Sequence, residues 1–269
     1  MEDRELPLGG HFTELRRRII VSVVALLVST AVAFIFHPLI FDVLMGPAQG
    51  FESLQDKRLI YTQMTEMIGI TMKVSLMGGL VLASPVLLYQ VVMFVAPGLT
   101  SKEKRYLFAL LPGAMISFVA GAAFGYFVLL PPALRFLLTF GSDIATPMIR
   151  VGNYINLVVT LLFWLGVSFQ TPLVMFFLSK IGIITPRTLA RQRRYAVVVA
   201  FILGALITPT FDPVNQSLVA LPIILLYELG IWLARLARLA AEYSPLVIAG
   251  RTHNVAAQPT TLGKRFVTA

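Results

Sequence analysis

Two glutamates stand in otherwise basic sequence: Glu14 within His11-Phe12-Thr13-Glu14-Leu15-Arg16-Arg17-Arg18, and Glu103 within Ser101-Lys102-Glu103-Lys104-Arg105. A fixed carboxylate accepts a guanidinium through two parallel hydrogen bonds, a fork geometry that a lysine ammonium does not offer. Two such carboxylates on a basic surface would repel diffuse positive charge and still admit arginine, so they could form a receptor that tells arginine from lysine. The local alternative is pairing of Glu14 with Arg18 at i,i+4 spacing and of Glu103 with its lysine neighbours, worth roughly a few tenths of a kcal/mol.

A second group consists of polar residues inside or beside apolar runs. Lys73 lies two turns into its run, where its stem can snorkel to the interface. Gln170, between Phe169 and Thr171, can bond to a neighbouring helix or face a wet cavity. Glu228 lies near Arg235, which suggests an interfacial ion pair. Thr208, Asp212, Asn215 and Gln216 cluster at a turn, as ordinary loop polarity or as a docking site for a polar residue of a partner helix. Catalysis has no visible home. There is no H-E-x-x-H, phosphate-binding loop, nucleotide fingerprint or Ser/His/Asp pattern, and the histidines His11, His37 and His253 lack metal-ligand spacing. With no cysteine, disulfides and thiolate ligands are excluded. The sequence therefore predicts a non-enzyme without metal or cofactor.

The elements that must position these residues are membrane spans. With 57% hydrophobic and 13% charged residues in 269, the composition is that of a polytopic membrane protein. Uncharged or nearly uncharged runs predict six transmembrane helices at about 19–36, 67–95, 106–130, 157–179, 195–207 and 218–233. Lys and Arg outside the spans divide seventeen to four between alternate sides, with Lys73 inside the second span. The positive-inside rule then puts both termini in the cytoplasm, and the net charge of +9 suggests loop topology and anionic lipid before nucleic acid. A cleaved signal peptide ending near Ala31-Val32-Ala33 competes for the first span. Apolar sequence continuing through Phe34, Ile35 and Phe36 fits a retained helix better.

The spans are unequal. The second would reach roughly 43 Å at 1.5 Å per residue and so must tilt or bend, with Pro85 as the place to do so. The fifth would reach only about 20 Å, and the short fifth and sixth helices should not cross the full bilayer, thinning it locally. One membrane domain over residues 1–240 is expected, followed by a flexible cytoplasmic tail over 241–269.

In order along the chain, His11-x-x-Glu14-Leu15-Arg16-x-Arg18, Ala83-Ser84-Pro85-Val86-Leu87-Leu88-Tyr89-Gln90, Phe94-Val95-Ala96-Pro97-Gly98-Leu99, Glu103-Lys104-Arg105, Gly166-Val167-Ser168-Phe169, Arg193-Arg194-Tyr195 and Leu206-Ile207-Thr208-Pro209 resemble the TatC family. That family is the multispanning subunit of the twin-arginine protein translocase. The resemblance implies an all-α, glove-like bundle of six helices with a concave face. It implies a receptor in the cytoplasmic (inner) membrane that binds twin-arginine signal peptides of folded cargo. The receptor would associate with itself and organise single-span TatA- and TatB-type subunits for export driven by the proton-motive force. On the matching positions, Glu14 and Glu103 look like the carboxylates that meet the arginine pair, with Leu15, Arg16, Arg18 and Phe94 shaping the site. Pro47 resembles part of a rigid outer cap, and Thr208 and Gln216, beside Asp212, resemble the polar cluster used by partner helices. Gln170 and Lys73 would line the concave face. Gln170 departs from the glutamate common there and cannot titrate, although it can still hydrogen-bond.

Two other classes compete. A six-helix secondary transporter or channel for a small solute should show inverted repeats, broken helices or midplane ionisable groups, and the sequence shows little of these. An intramembrane enzyme would need a convergent nucleophile, base or metal set.

Overall fold

A chain segment in hydrocarbon must satisfy every backbone N–H and C=O within itself, so apolar runs of this length become helices. The computed structural model describes residues 8–49, 59–140, 144, 149–208 and 212–256, with nothing described for the rest, including 209–211 of the last turn and 257–269 of the tail. Ten α-helices follow in order: α1 Leu8–Ile35, α2 His37–Gln49, α3 Glu66–Val95, α4 Ser101–Phe124, α5 Leu130–Thr139, α6 Val151–Ser168, α7 Thr171–Lys180, α8 Pro186–Arg191, α9 Arg193–Ile207 and α10 Pro213–Ala256. Among the described residues the one extended pairing is a parallel bridge of Ile60 to Arg150, with Ile60 N–H donating to Ile149 O at 3.1 Å and Val151 N–H to Ile60 O at 2.9 Å.

The expected spans are all present as helix. Among the described residues five stretches are long and apolar enough to cross a membrane: Phe12–Ile35, Glu66–Val95, Glu103–Thr139, Val151–Lys180 and Pro213–Leu239. The remaining segment, α9, has 15 residues, about 22 Å, and is short as expected. The shortness expected of the sixth helix is corrected: α10 has 44 residues and runs through Ala256 into the segment assigned to a tail. Arg235 and Arg238 end the apolar run at Leu233, but Ala, Leu, Arg and Glu are strong helix formers, so charge ends the hydropathy and leaves the helix intact. The helix α2 was also not expected; Pro38, Asp42, Gly46 and Pro47 hide its periodicity.

Prolines shape the bundle by orphaning carbonyls, and side chains take up the vacant acceptors. Pro85 offers no N–H to Val81 O, and the Ser84 hydroxyl donates there at 2.8 Å, so α3 continues unbroken. Pro47 likewise offers none to Val43 O, and Tyr126 Oη donates to that oxygen at 2.5 Å. Tyr154 Oη donates to the next carbonyl, Leu44 O, at 2.7 Å. The third span is carried past Pro131-Pro132 by a π-helical turn, Gly125–Leu129, which joins α4 to α5. The fourth span breaks at Phe169-Gln170 ahead of Pro172, which begins α7.

In lipid, close approach and dispersion hold helices together more than water exclusion does. The first span is 6% buried and packs along α3, where a Cβ on Gly79 would lie 2.6 Å from Thr30 Cα. Ala33, within the sequence that resembled a cleavage site, is buried at this seam. The fourth span is 50% buried, and Ile155, Val158, Leu161 and Leu165 of α6 are fully enclosed by α3, the π-turn and α4. The α7 helix packs on α10, and α9 pairs with the first part of α10.

Candidate functional site

The start of α1, the end of α3 and the start of α4 meet at the Lys/Arg-rich end of the bundle. Because α1 and α3 run antiparallel, Arg18 faces Gln90, 72 residues away, and donates to its Oε1 at 3.1 Å. Its other terminal nitrogen donates to Glu14 Oε1 at 3.1 Å. The i,i+4 pair expected as the bland alternative for Glu14 thus forms, as one half of a bridge that ties α1 to α3. Arg18 Nε is buried without a hydrogen-bond partner. Phe94 follows Gln90 by one helical turn and shares its face of α3.

Beyond Phe94, a 3₁₀ turn over Ala96–Gly98 leads into α4, where Glu103 occupies the third helical position after the cap Thr100. Glu103 Oε2 accepts the Thr100 N–H at 2.8 Å. The Glu103 carboxylate caps its own helix, satisfying a donor that has no partner within the helix, a role its lysine neighbours had not suggested. Glu14 Oε1 accepts from Arg18, and Glu103 is held by Thr100, whose backbone N–H donates to Oε2. Glu14, Leu15, Arg18, Phe94 and Glu103 are half-buried, while Arg16 is exposed. The arrangement offers two anchored acceptor oxygens amid fixed cations, which suits a guanidinium fork. The sequence reading missed Gln90, although a lone amide in an apolar run four residues before Phe94 was the available signal.

Elsewhere the polar side chains satisfy one another. Lys73 Nζ donates to Asn156 Oδ1 on α6, a partner that the sequence did not suggest. Gln170 Nε2 donates to Ala114 O at 3.0 Å, joining the break in the fourth span to α4. Glu228 pairs with Arg193 at 2.8 Å and not with Arg235, whose guanidinium lies 5.7 Å over the Trp232 ring. At the opposite end of the bundle, Thr208 Oγ1 donates to Gly204 O at 2.8 Å, and Asp212 accepts from Asn215 N–H at 2.6 Å and Nδ2 at 3.1 Å. Gln216 Nε2 donates to Phe201 O at 2.9 Å across the α9–α10 hairpin. Asn215 Oδ1 is buried and unpaired.

A clasp at that same end was invisible in the sequence. Glu66 Oε2 accepts from Thr62 N–H and Arg150 Nη2, each at 3.0 Å, and Oε1 accepts from Gly152 N–H at 3.2 Å, locking α3 to the start of α6 beside the Ile60–Arg150 bridge. Among the described residues no cluster of three or more His, Cys, Asp or Glu is placed to hold a metal ion.

Comparison with known proteins gives a consistent set of relatives. Residues 10–222 match the family model described as Sec-independent protein translocase protein (TatC). The chain is 43% identical over 234 residues to the Sec-independent protein translocase protein TatC of Aquifex aeolicus, covering 86% of this chain and 96% of that protein. It is 36% identical over 235 residues to the chloroplastic TATC protein of Arabidopsis thaliana, covering 87% of this chain and 68% of that one. Its fold is similar to a crystal structure of the twin arginine translocase receptor TatC, with a TM-score of 0.77, 43% identity, and coverage of 85% of this chain and 99% of that chain. The chain and these relatives are multi-pass helical membrane proteins, and the solute-transporter reading finds no support among them.

Proposed function

The chain belongs to the TatC family of Sec-independent protein translocase proteins, and from that premise we propose that it is the receptor and core subunit of a twin-arginine translocase, working without covalent chemistry. It sits in the cytoplasmic (inner) membrane with both termini in the cytoplasm. It takes the paired arginines of a signal peptide on Glu14 and Glu103. Arg18 and Gln90 fix the position of Glu14, and the Thr100 cap fixes Glu103. Leu15 and Phe94 supply apolar surface beside the carboxylates, and Arg16 adds to the basic rim.

The observation that carries this reading is that both carboxylates lie at one end of the bundle, Glu14 held by Arg18 and Glu103 by the Thr100 cap, on helices that adjoin the end of α3. An incoming guanidinium meets acceptors already oriented by their own contacts, so little ordering cost falls on the protein. Single-span TatA- and TatB-type helices dock at the opposite end of the α9–α10 hairpin, where Thr208, Asp212 and Gln216 cluster, and copies of the chain associate in the assembled receptor. Pro47 and Pro85 keep α2 and α3 in shape for these contacts.

The test is binding of a fluorescent twin-arginine signal peptide to the purified full chain, beside the same peptide with both arginines replaced by lysine. Preference for the arginine peptide supports the reading; equal binding of the two peptides rejects carboxylate recognition of a guanidinium fork.

A further inference from the structure

The six-residue α8 and the far part of α10 enclose a cavity of about 760 Å³, lined by Thr185, Arg187, Ala190, Arg235, Arg238 and Leu239. It lies at the Lys/Arg-rich end, on different helices from Glu14 and Glu103. Three guanidiniums line one space, and among the described residues none of them pairs with a carboxylate; the ion pairs present are Glu14–Arg18, Glu66–Arg150 and Glu228–Arg193. Like charges lining one cavity repel, and an anion accepting several N–H donors at once removes that cost.

The surroundings of the cavity select the anion. Trp232, Leu236 and Leu239 are 62%, 56% and 52% exposed along α10, forming an apolar strip that runs from Trp232 toward the Lys/Arg-rich end. Tryptophan marks headgroup depth, and Arg235 stacks over its ring at 5.7 Å. Ala190 and Leu239 give the cavity an apolar wall, and Leu239 belongs to that strip. An occupant with a phosphate at one end and hydrocarbon at the other satisfies both walls; a free phosphate satisfies one. We infer that this cavity binds the phosphate headgroup of an anionic phospholipid from the leaflet at the Lys/Arg-rich face. A lipid held there bridges α8 to α10 and reinforces the bond from Tyr227 Oη to Leu189 O at 2.9 Å.

Trp232 supplies the probe. The chain has two tryptophans, so Trp164→Phe leaves Trp232 as the sole reporter. The full chain with that change is reconstituted in phosphatidylcholine vesicles carrying brominated phosphatidylglycerol or, in parallel, brominated phosphatidylcholine, and quenching of Trp232 is compared at equal mole fraction. The expected result is several-fold preference for the anionic lipid, reduced about five-fold or more in Arg187→Gln/Arg238→Gln, given the attraction of each basic residue for an anionic surface. Arg191→Gln/Arg194→Gln, which removes the same charge from the same end outside the cavity, should keep the preference. Arg187→Lys/Arg238→Lys should fall between, because charge is retained and the fork is lost. Excess inorganic phosphate at matched ionic strength should leave the preference intact; its loss would assign the cavity to free phosphate and overturn the lipid assignment. Equal quenching by the two lipids, or a preference unchanged by Arg187→Gln/Arg238→Gln, would overturn the inference outright.

Discussion

Tyr126→Phe removes a single hydroxyl, and the fold states what that hydroxyl is for. Pro47 cannot donate to Val43 O, and Tyr126 Oη does so at 2.5 Å, tying α2 to the π-turn of the third span. An acceptor deprived of its donor costs about 1–3 kcal/mol, and because Tyr126 is half-buried the lower end applies, about 1 kcal/mol. For a chain of this size that lowers the melting temperature by roughly 2–4 °C. Pro47→Ala returns an N–H to the position that helix geometry aims at Val43 O. In that background Tyr126→Phe should cost less than about 0.5 kcal/mol, giving the two sites a coupling of at least about 0.5 kcal/mol, at the upper edge of ordinary additivity error or beyond it. Tyr154→Phe is the control, since its acceptor Leu44 O is followed four residues later by Ala48, which keeps its N–H; its cost should not depend on Pro47. The assay is thermal unfolding of Pro47→Ala, of Tyr126→Phe and Tyr154→Phe each with and without Pro47→Ala, and of the parent, in one detergent. An equal loss from Tyr126→Phe in both backgrounds would refute the claim that the tyrosine replaces the donor missing at Pro47.

Three further outcomes follow from the contacts. Glu66→Ala leaves the Arg150 guanidinium and two backbone N–H groups without their acceptor, so the melting temperature should fall and amide exchange should rise at Thr62 and Gly152; protected amides there would reject the clasp. Gly79→Leu places side-chain atoms where Thr30 Cα already lies 2.6 Å from a built Cβ, so α1 must separate from α3, with a cost of about 1–3 kcal/mol or more by thermal unfolding, while Gly69→Ala, which meets nothing within 4 Å, should cost no more than roughly 1 kcal/mol. Signal-peptide affinity should fall as salt rises, because Glu14 and Glu103 are half-exposed and screening reaches them; an affinity independent of salt would point to a mainly apolar contact.

The spans were legible because hydropathy and charge are local. The second span was expected at 67–95 and is Glu66–Val95, and the fifth at 195–207 is Arg193–Ile207. The failures are equally physical. The α2 helix carries Pro47 in its interior and holds together through Tyr126 and Tyr154, which lie about eighty and a hundred and ten residues further along the chain. The expectation of a short sixth helix treated the end of hydrophobicity as the end of the helix, two boundaries that differ when Ala, Leu and Arg follow. The break before Pro172 was readable from the proline alone and went unread. At the candidate site, Glu14 with Arg18 is a sequence-local pair, whereas the Arg18–Gln90 contact depends on how α1 crosses α3. The capping role of Glu103 was present in the sequence as Thr100-Ser101-Lys102-Glu103, a spacing that was passed over in favour of its charged neighbours.

The most direct test of the account is the affinity of the twin-arginine peptide for Glu14→Gln, Glu103→Gln and the double variant, each checked to unfold at the parent's temperature. Glutamine keeps the shape and loses the charge that strengthens a guanidinium fork. Each single change should therefore weaken binding about ten-fold, with the double variant no longer preferring arginine over lysine. Parent-like affinity in both single variants and in the double variant would contradict the claim that these two carboxylates receive the arginine pair.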